Sequence, residues 1–467
     1  MTLRRLLLGT ALAVSFAVSA PTPAKADPIT AAVVSFIGFT GTAAAVATFV
    51  VNSALYTAGS WALGKVASKL SGRKTSLQER QASVLTLSLG ETPREAVFGT
   101  FQTGGSLIDT FNDGGDHGTD RVTRVIALAD HAVDGLAGYW VDDSYVAFAG
   151  NGVQAGFNGK LEVYFVNATA AGSSPPATYL GKSTPPWTVN DKLVGVTHVW
   201  VSYSVDDEVW TQGHPQFGFV LRGLRLYDPR KDVRFGYVGS DAHVWEDPAT
   251  HEHSHNPVLQ EYAYRRGVYA VGHQGEAEHL LIGRGLTETE APPERIIAAA
   301  NLCDEEVAEG RVRYAASGVV RASDDHRTVS EWFAQACAGQ IVQREGGIEI
   351  APGQAKAAVV TITDGDLIAG EPVTVAPFLP DSDGGRVNTV VPRYVEPNQR
   401  WKDTSGAVRR DLDDIADDGG PRELTLPLPF VTDAAQADRC AEIARRLARL
   451  EWRAGIVEGF FTPLAAR

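Results

Sequence analysis

The sequence predicts a β-rich α+β protein of more than one domain, and three observations predict it. The 467-residue chain scatters 47 glycines and 24 prolines among short alternating segments, a pattern of strands and turns. The length exceeds one ordinary domain and points to about three, with 44% hydrophobic residues to build cores. Residues 328–353 read as a helix–hairpin unit. Thr328 and Glu331 have capping-box spacing, Trp332, Phe333 and Cys337 form an apolar face, and Gly339 stops the helix. Strands at 341–345 and 348–350 follow, joined by Gly346-Gly347 as a tight turn. The unit carries no obvious catalytic group.

The other elements follow in order. Residues 122–129 and 161–166 read as strands. Val199, Val201, Tyr203 and Val205 alternate with polar or exposed positions in the clearest period-two run of the chain. A Ser/Pro-rich loop, 173–176 with Pro185-Pro186 beyond it, separates these strands. Residues 217–227 form another strand, ended by Asp228-Pro229. Helical signals cover 257–264, 293–306 and 328–338. A last helix begins near Asp433, with Gln436 at the reciprocal capping position. Its core stripe is Ala437, Cys440, Ile443, Leu447 and Leu450, supported by a Glu442–Arg446 pair one turn apart. No internal repeat is present. The expected divisions are 1–26, 27–72, 73–227, 228–310, 311–397 and 398–467.

The N-terminus reads as an export signal: Arg4-Arg5, an uncharged stretch from Leu6 to Ala20, then Ala24-Lys25-Ala26 before Asp27. Residues 29–64 carry no charged side chain. That run exceeds the ~20 apolar residues a bilayer span needs, yet Ala, Gly, Thr and Val dominate it, which suits close helix packing. An anchored periplasmic protein, a buried structural helix and a segment that enters membrane when triggered are all compatible with it.

Composition narrows function. A net charge of -14 argues against a nucleic-acid-binding surface, which needs a basic stripe. Cys303, Cys337 and Cys440 are too few and odd in number for a disulfide framework and read as buried small hydrophobes. His251, His253 and His255 would share one face of an extended strand, with His243 upstream, as a metal-chelating surface. An exposed loop ahead of Asn256-Pro257 is the favoured reading, with the three histidines dispensable. Asp364-Gly365-Asp366 and the run from Asp381 to Gly385 lack the glutamate of a calcium loop and read as turns. Gly104-Gly105 and Gly114-Gly115 lack the lysine and strand–helix setting of a phosphate loop. No Gly-x-Ser-x-Gly elbow occurs. The expectation is a protein without enzymatic activity, catalytic residues, cofactor or metal.

From about residue 90 onward the chain resembles the central tail-hub proteins of long-tailed phages, the lambda-type host-specificity (tail tip attachment) protein J family. The motifs begin with Leu89-Gly90-Glu91-Thr92-Pro93-Arg94-Glu95-Ala96-Val97-Phe98-Gly99, then Gly104-Gly105. Ala129-Asp130-His131 and Val133-Asp134-Gly135 come next. Tyr227-Asp228-Pro229-Arg230, Trp245 and His255-Asn256-Pro257 follow. Asn301-Leu302-Cys303-Asp304 and the run from Trp332 to Cys337 resemble family helices. Arg386-Val387-Asn388-Thr389-Val390, with Tyr394, Glu396-Pro397 and Trp401, resembles a family strand.

The resemblance implies a β-rich hub of barrel- and sandwich-like domains with short helices, set behind the hydrophobic N-terminal helical segment. It implies a structural virion protein of a phage or prophage, at the tail tip, closing the distal end of the tail tube and supporting host attachment and DNA ejection. The implied partners are two further copies in a homotrimer and other tail tip and tube proteins. Host membrane contact through residues 29–64 and the absence of specific nucleic-acid binding belong to the same picture. Family members usually run much longer, so a shortened prophage gene is expected, and residues 455–461 read as the start of a strand with no partner left. The competing expectation is an exported, membrane-anchored surface or periplasmic binding module, cleaved near Asp27.

Overall fold

Strands that must bury both faces need cover on both sides, and this chain supplies it with a second sheet and a folded-back loop. A computed structural model describes residues 93–458 apart from 114–119, 206–208, 211–213, 345–346, 355–362, 364–365, 369, 371–373, 378–386 and 454. The export-signal and hydrophobic-segment expectations, the Asp364 and Asp381 turns and the Gly114-Gly115 pair involve residues outside this set.

The first strands are β1 (Glu95–Phe98), β2 (Thr100–Thr103), β3 (Ser106–Asp113), β4 (Arg121–Ala129) and β5 (Gly135–Val141). Next come β6 (Ser144–Ala147), β7 (Gly152–Val153), β8 (Leu161–Val166), β9 (Thr197–Ser204) and β10 (Phe217–Arg222). One sheet has the order β3-β4-β9-β8-β7 and a second the order β2-β10-β5-β6. Their facing side chains form one core, with Ile126, Leu161, Val199, Val201 and Tyr203 from the first sheet. Phe101, Tyr139, Phe217, Phe219 and Leu221 come from the second. This is sandwich packing, with alternate residues of each strand turned inward.

The period-two reading of β9 needs correction. Every residue from Thr197 to Tyr203 is buried, because β9 is central in its sheet and the loop between β8 and β9 folds over the outer face. Tyr179 stacks on Trp200 with centroids 5.5 Å apart, and Trp187 meets the same ring edge-on at 5.1 Å. The Trp187 indole N–H donates to Asp109 Oδ2 at 2.7 Å and ties the loop to β3. Val205 lies beyond the strand and is exposed. The expected strand 217–227 is also two pieces, since β11 (Arg225–Leu226) leaves β10 to pair with β12 (Glu252–His253).

The middle of the chain holds α1 (Pro257–Arg266), β13 (Val268–Tyr269), β14 (Leu280–Ile282), α2 (Ile297–Cys303), β15 (Glu306–Ala308), β16 (Arg311–Val312) and β17 (Gly318–Arg321). The expected helix at 293–306 is shorter: a 3-10 turn over Pro293–Ile296 leads into α2, and Glu306 already lies in a strand. β17 pairs antiparallel with β1, Ala96 opposite Val320, so the opening of the described chain is fixed by residues more than 200 positions away.

The last elements are α3 (His326–Ala336), β18 (Gln340–Arg344), β19 (Gly347–Ala351), β20 (Thr374–Pro377), β21 (Thr389–Glu396) and β22 (Lys402–Ser405). They continue with β23 (Arg409–Arg410), α4 (Leu412–Asp417), β24 (Glu423–Leu428), α5 (Ala434–Arg453) and β25 (Gly455–Glu458). β21 is flanked by β22 and β23 and also pairs with β24 in parallel, Val390 beside Leu424. β25 pairs antiparallel with β20, so residues 455–458 do have the partner strand that the sequence seemed to lack. The helix–hairpin unit is present, with Ile341 opposite Ile350, but Arg344 pairs with Gly347, so Gly347 belongs to the strand rather than to the turn; residues 345–346 lie outside the described set.

Two caps also differ from expectation. Asp325, not Thr328, caps α3, its carboxylate accepting the Thr328 N–H at 3.0 Å. Gly339 does not supply the left-handed stop, since Ala338 holds φ 47. A Cβ on Gly339 would lie 2.5 Å from the Ala351 carbonyl, so this glycine lets the hairpin close against the helix end.

Candidate functional site

Several described motif residues singled out by the resemblance lie at joints, with polar atoms committed to structural bonds. His131 is buried between β4 and β5. Its Nε2 accepts the Val97 N–H at 3.1 Å and its Nδ1 lies 2.7 Å from the Ala132 carbonyl. Burial lowers its pKa, which keeps the ring neutral for those roles. Asp130 accepts from the Glu95 N–H, and Asp134 pairs with Arg222. Asp228 caps the 3-10 turn after β11 and grips Arg230, which reaches Asp304 at 2.7 Å. Asn256 caps α1 and donates to the Ala300 carbonyl at 2.9 Å, with Pro257 at the first helical position.

The segment from α3 to α5 is built around small residues and polar staples. Phe333 meets Phe98 of β1 edge-on at 5.4 Å and Phe430 at 5.0 Å. α5 buries Ala437, Cys440, Ala441, Ala444 and Ala448. The stripe expected to include Ile443 and Leu447 is therefore rotated: both are only partly buried, and an alanine face lets α5 approach β21 closely. Asp433 accepts the Gln436 N–H at 2.8 Å, yet the Gln436 side chain makes no reciprocal cap. Its Nε2 donates to the Ala315 and Ala336 carbonyls at 2.7 Å each, and its Oε1 accepts the Ala315 N–H at 3.0 Å. One amide thus holds the chain before β17 and the end of α3 to α5.

Charge does the rest of the work at this joint. Arg449 lies 2.8 Å from Asp418 and 2.9 Å from Asp414, with Arg449 and Asp418 nearly enclosed. Burial pushes the Asp418 carboxyl up, but the Asn388 amide and the Arg449 guanidinium outweigh it and leave it below the usual range. Asn388 donates to Asp418 and to the Gly420 carbonyl and accepts the Arg422 N–H at 2.8 Å. Arg445 pairs with Glu442 at 3.0 Å and Asp411 at 3.3 Å. In α1, Arg265 pairs with Glu261 at 2.7 Å, both almost wholly buried.

The three thiols are buried, as the sequence implied. Burial and the neighbouring Cys303 thiol hold Cys337 well above its ordinary value, and burial pushes Cys440 up to about 12. Both stay protonated near neutral pH, the state of a packing group rather than a nucleophile.

The histidine run departs from the exposed-loop expectation at His251, whereas His253 is half-buried and His255 is exposed. His251 is buried beside Tyr227, Trp245 and His243, its Nε2 3.0 Å from the Val244 carbonyl. Burial lowers its pKa to about 4. His253 and His255 pack edge-on at 4.7 Å. The three side chains do not converge as a chelating face: among the described residues, the group of three with ligand-like spacing is His273, Glu276 and His279. Sequence reading missed it, although His-x-x-Glu-x-x-His is visible on inspection. His251 and His273 both line a cavity of about 330 Å³, with Tyr227, Trp245 and Tyr269.

Residues 327–454 match the model of the Phage-tail_3 family, described as "Putative phage tail protein". The matched span runs from the first turn of α3 to the end of α5, less than half of the chain, and over it the chain is similar to phage tail proteins. No curated protein matches the sequence. Among solved structures, a chain from "Virion of native gene transfer agent (GTA) particle" aligns at a TM-score of 0.45 and 16% identity, covering 78% of this chain and 75% of that one. The lambda-type subfamily is not distinguished by these matches.

Proposed function

We propose that the chain is a structural tail protein of a phage or phage-like particle, a central hub or tip component at the distal end of the tail tube. The observation that carries this reading is the family match over residues 327–454, the span from α3 to α5 with its joints to β1 and β17. The chemistry of the joints is consistent with it. His131, Asp228, Asn256, Asn388 and Gln436 spend their polar atoms on caps and staples, and the Cys337 and Cys440 thiols stay protonated. A non-catalytic role is part of the proposal.

The hub would act as a homotrimer that meets other tip and tube proteins, supports host attachment and opens for DNA exit. Closed threefold symmetry ends a tube, whereas an open head-to-tail contact would continue it. Each trimer contact would bury upward of ~1,000 Å² with an apolar centre. Among the described residues no helix is long and apolar enough to cross a membrane; the membrane contact proposed is that of residues 29–64. Deleting the gene from a strain that releases particles tests the proposal. Tail-defective particles, restored by the gene in trans, are expected, and normal infective tails without it would overturn the reading. Light scattering on the purified chain should return a trimer mass, and a strictly monomeric folded protein would remove the trimer.

A further inference from the structure

We propose that His273, Glu276 and His279 form a binding site for a divalent transition-metal ion, with Zn²⁺ the ion it fits best. The three residues lie in the connection between β13 and β14, which pair with Tyr269 opposite Leu280. The connection is folded tightly on itself. Ala270 N–H donates to the His279 carbonyl at 2.9 Å, His273 N–H to the Ala270 carbonyl at 3.0 Å, and His279 N–H to the Glu276 carbonyl at 2.9 Å. Gly272 and Gly275 take φ 90 and 84, left-handed values that a side chain would strain. These two reversals bring residues three apart in sequence to one place.

The donor geometry is close to what an ion needs. His273 Nδ1 lies 3.0 Å from Glu276 Oε2 and His279 Nε2 lies 3.7 Å from the same oxygen. All three ligand atoms fall within 4.8 Å of one another. In a tetrahedral zinc site with bonds of about 2.0–2.1 Å, two donors sit about 3.3–3.4 Å apart, between the two separations found here. Rotation of the His273 and His279 rings out of their stack would turn both nitrogens toward an ion beside Glu276.

A plain surface ion pair explains this arrangement less well. Two rings converge on one carboxylate oxygen, their centroids 3.6 Å apart and 28° from parallel. Two imidazole nitrogens and a carboxylate suit Zn²⁺ and its first-row neighbours rather than Ca²⁺ or Mg²⁺. Three protein ligands leave a coordination position for water. The side chains are 38–51% exposed, so an ion can enter from solvent. Because His273 also lines the 330 Å³ cavity, the ion would sit beside it and pin a connection that contributes to its wall.

The full-length chain, stripped with chelator, is titrated with Zn²⁺ by calorimetry and with Co²⁺ by visible absorption. One equivalent should bind at micromolar or tighter affinity, and the Co²⁺ spectrum should lack thiolate charge transfer. H273A/H279A should abolish that equivalent with an unchanged circular dichroism spectrum. E276Q, which preserves shape, should weaken binding at least tenfold. Failure of the parent chain to bind either ion, or undiminished binding by the double variant or by E276Q, would overturn the site.

Discussion

The two-sheet region and the α3–α5 region solve the same problem with different materials. In the sheets, aromatic and branched side chains fill the space: Trp200, Tyr139, Tyr203 and Phe219 are wholly buried. The α3–α5 region instead packs an alanine and cysteine face of α5, then fixes its position with Gln436, Asn388, Arg445 and Arg449. Apolar area is non-directional, so a core of that kind tolerates rearrangement. Buried ion pairs and amides stabilise little net, yet they penalise every arrangement that leaves them unpaired. The family match falls on the region specified in this second way.

The contrast can be broken at its strongest points first. Trp200→Ala should cost about 3–5 kcal/mol by emptying a ring-sized space between sheet and covering loop. The shift in urea midpoint measures it, and a loss below ~1 kcal/mol would show that the loop does not seal that face. Arg449→Ala should cost about 3–5 kcal/mol, because it strips the enclosed Asp418 carboxylate of its cation. Arg449→Met combined with Asp418→Asn should recover much of the loss, since the pair specifies position more than it stabilises. No recovery would mean that the guanidinium itself, which Arg449 also gives to Asp414, carries the effect.

Acidification tests the buried rings near Tyr227. His251 has a folded-state value of about 4 against 6.5 unperturbed, so folding favours its neutral form. That contribution is complete above about pH 6.5 and is lost as pH falls toward 4, on the order of 2–3 kcal/mol. Thermal melts across this window should show the parent losing stability more steeply than His251→Asn. Parallel slopes would contradict the burial of this ring. Gln436→Leu should cost about 1–3 kcal/mol by leaving Ala315 and Ala336 backbone groups without their partner. Arg446→Ala removes the exposed partner of Glu442 and should stay within ~0.5 kcal/mol.

Local pattern made part of this structure readable. The strand 161–166, the Asn256-Pro257 helix start, the helix–hairpin order and the Asp433 cap each follow from neighbours within a few residues. What stayed hidden depends on distant partners. Nothing local says that β1 waits for β17, that β24 runs parallel to β21, or that β25 returns to β20. β9 departs from its period-two pattern because its outer face is covered by Tyr179 and Trp187, from a loop whose Ser/Pro content reads as exposed. The α5 stripe turns away from its apolar pattern because hydrophobicity favours Ile443 and Leu447, whereas close approach to β21 favours alanine. The motif residues were legible as motifs, but their work as caps and staples was visible only in three dimensions.

The central claim, a structural role at the end of a tail, is tested most directly by antibody-gold labelling of purified particles in negative stain. The account predicts gold at the distal end of the tail, one cluster per particle, lost when the gene is deleted. Gold confined to cell-envelope fragments, with none on tails, would contradict it and favour an exported surface protein.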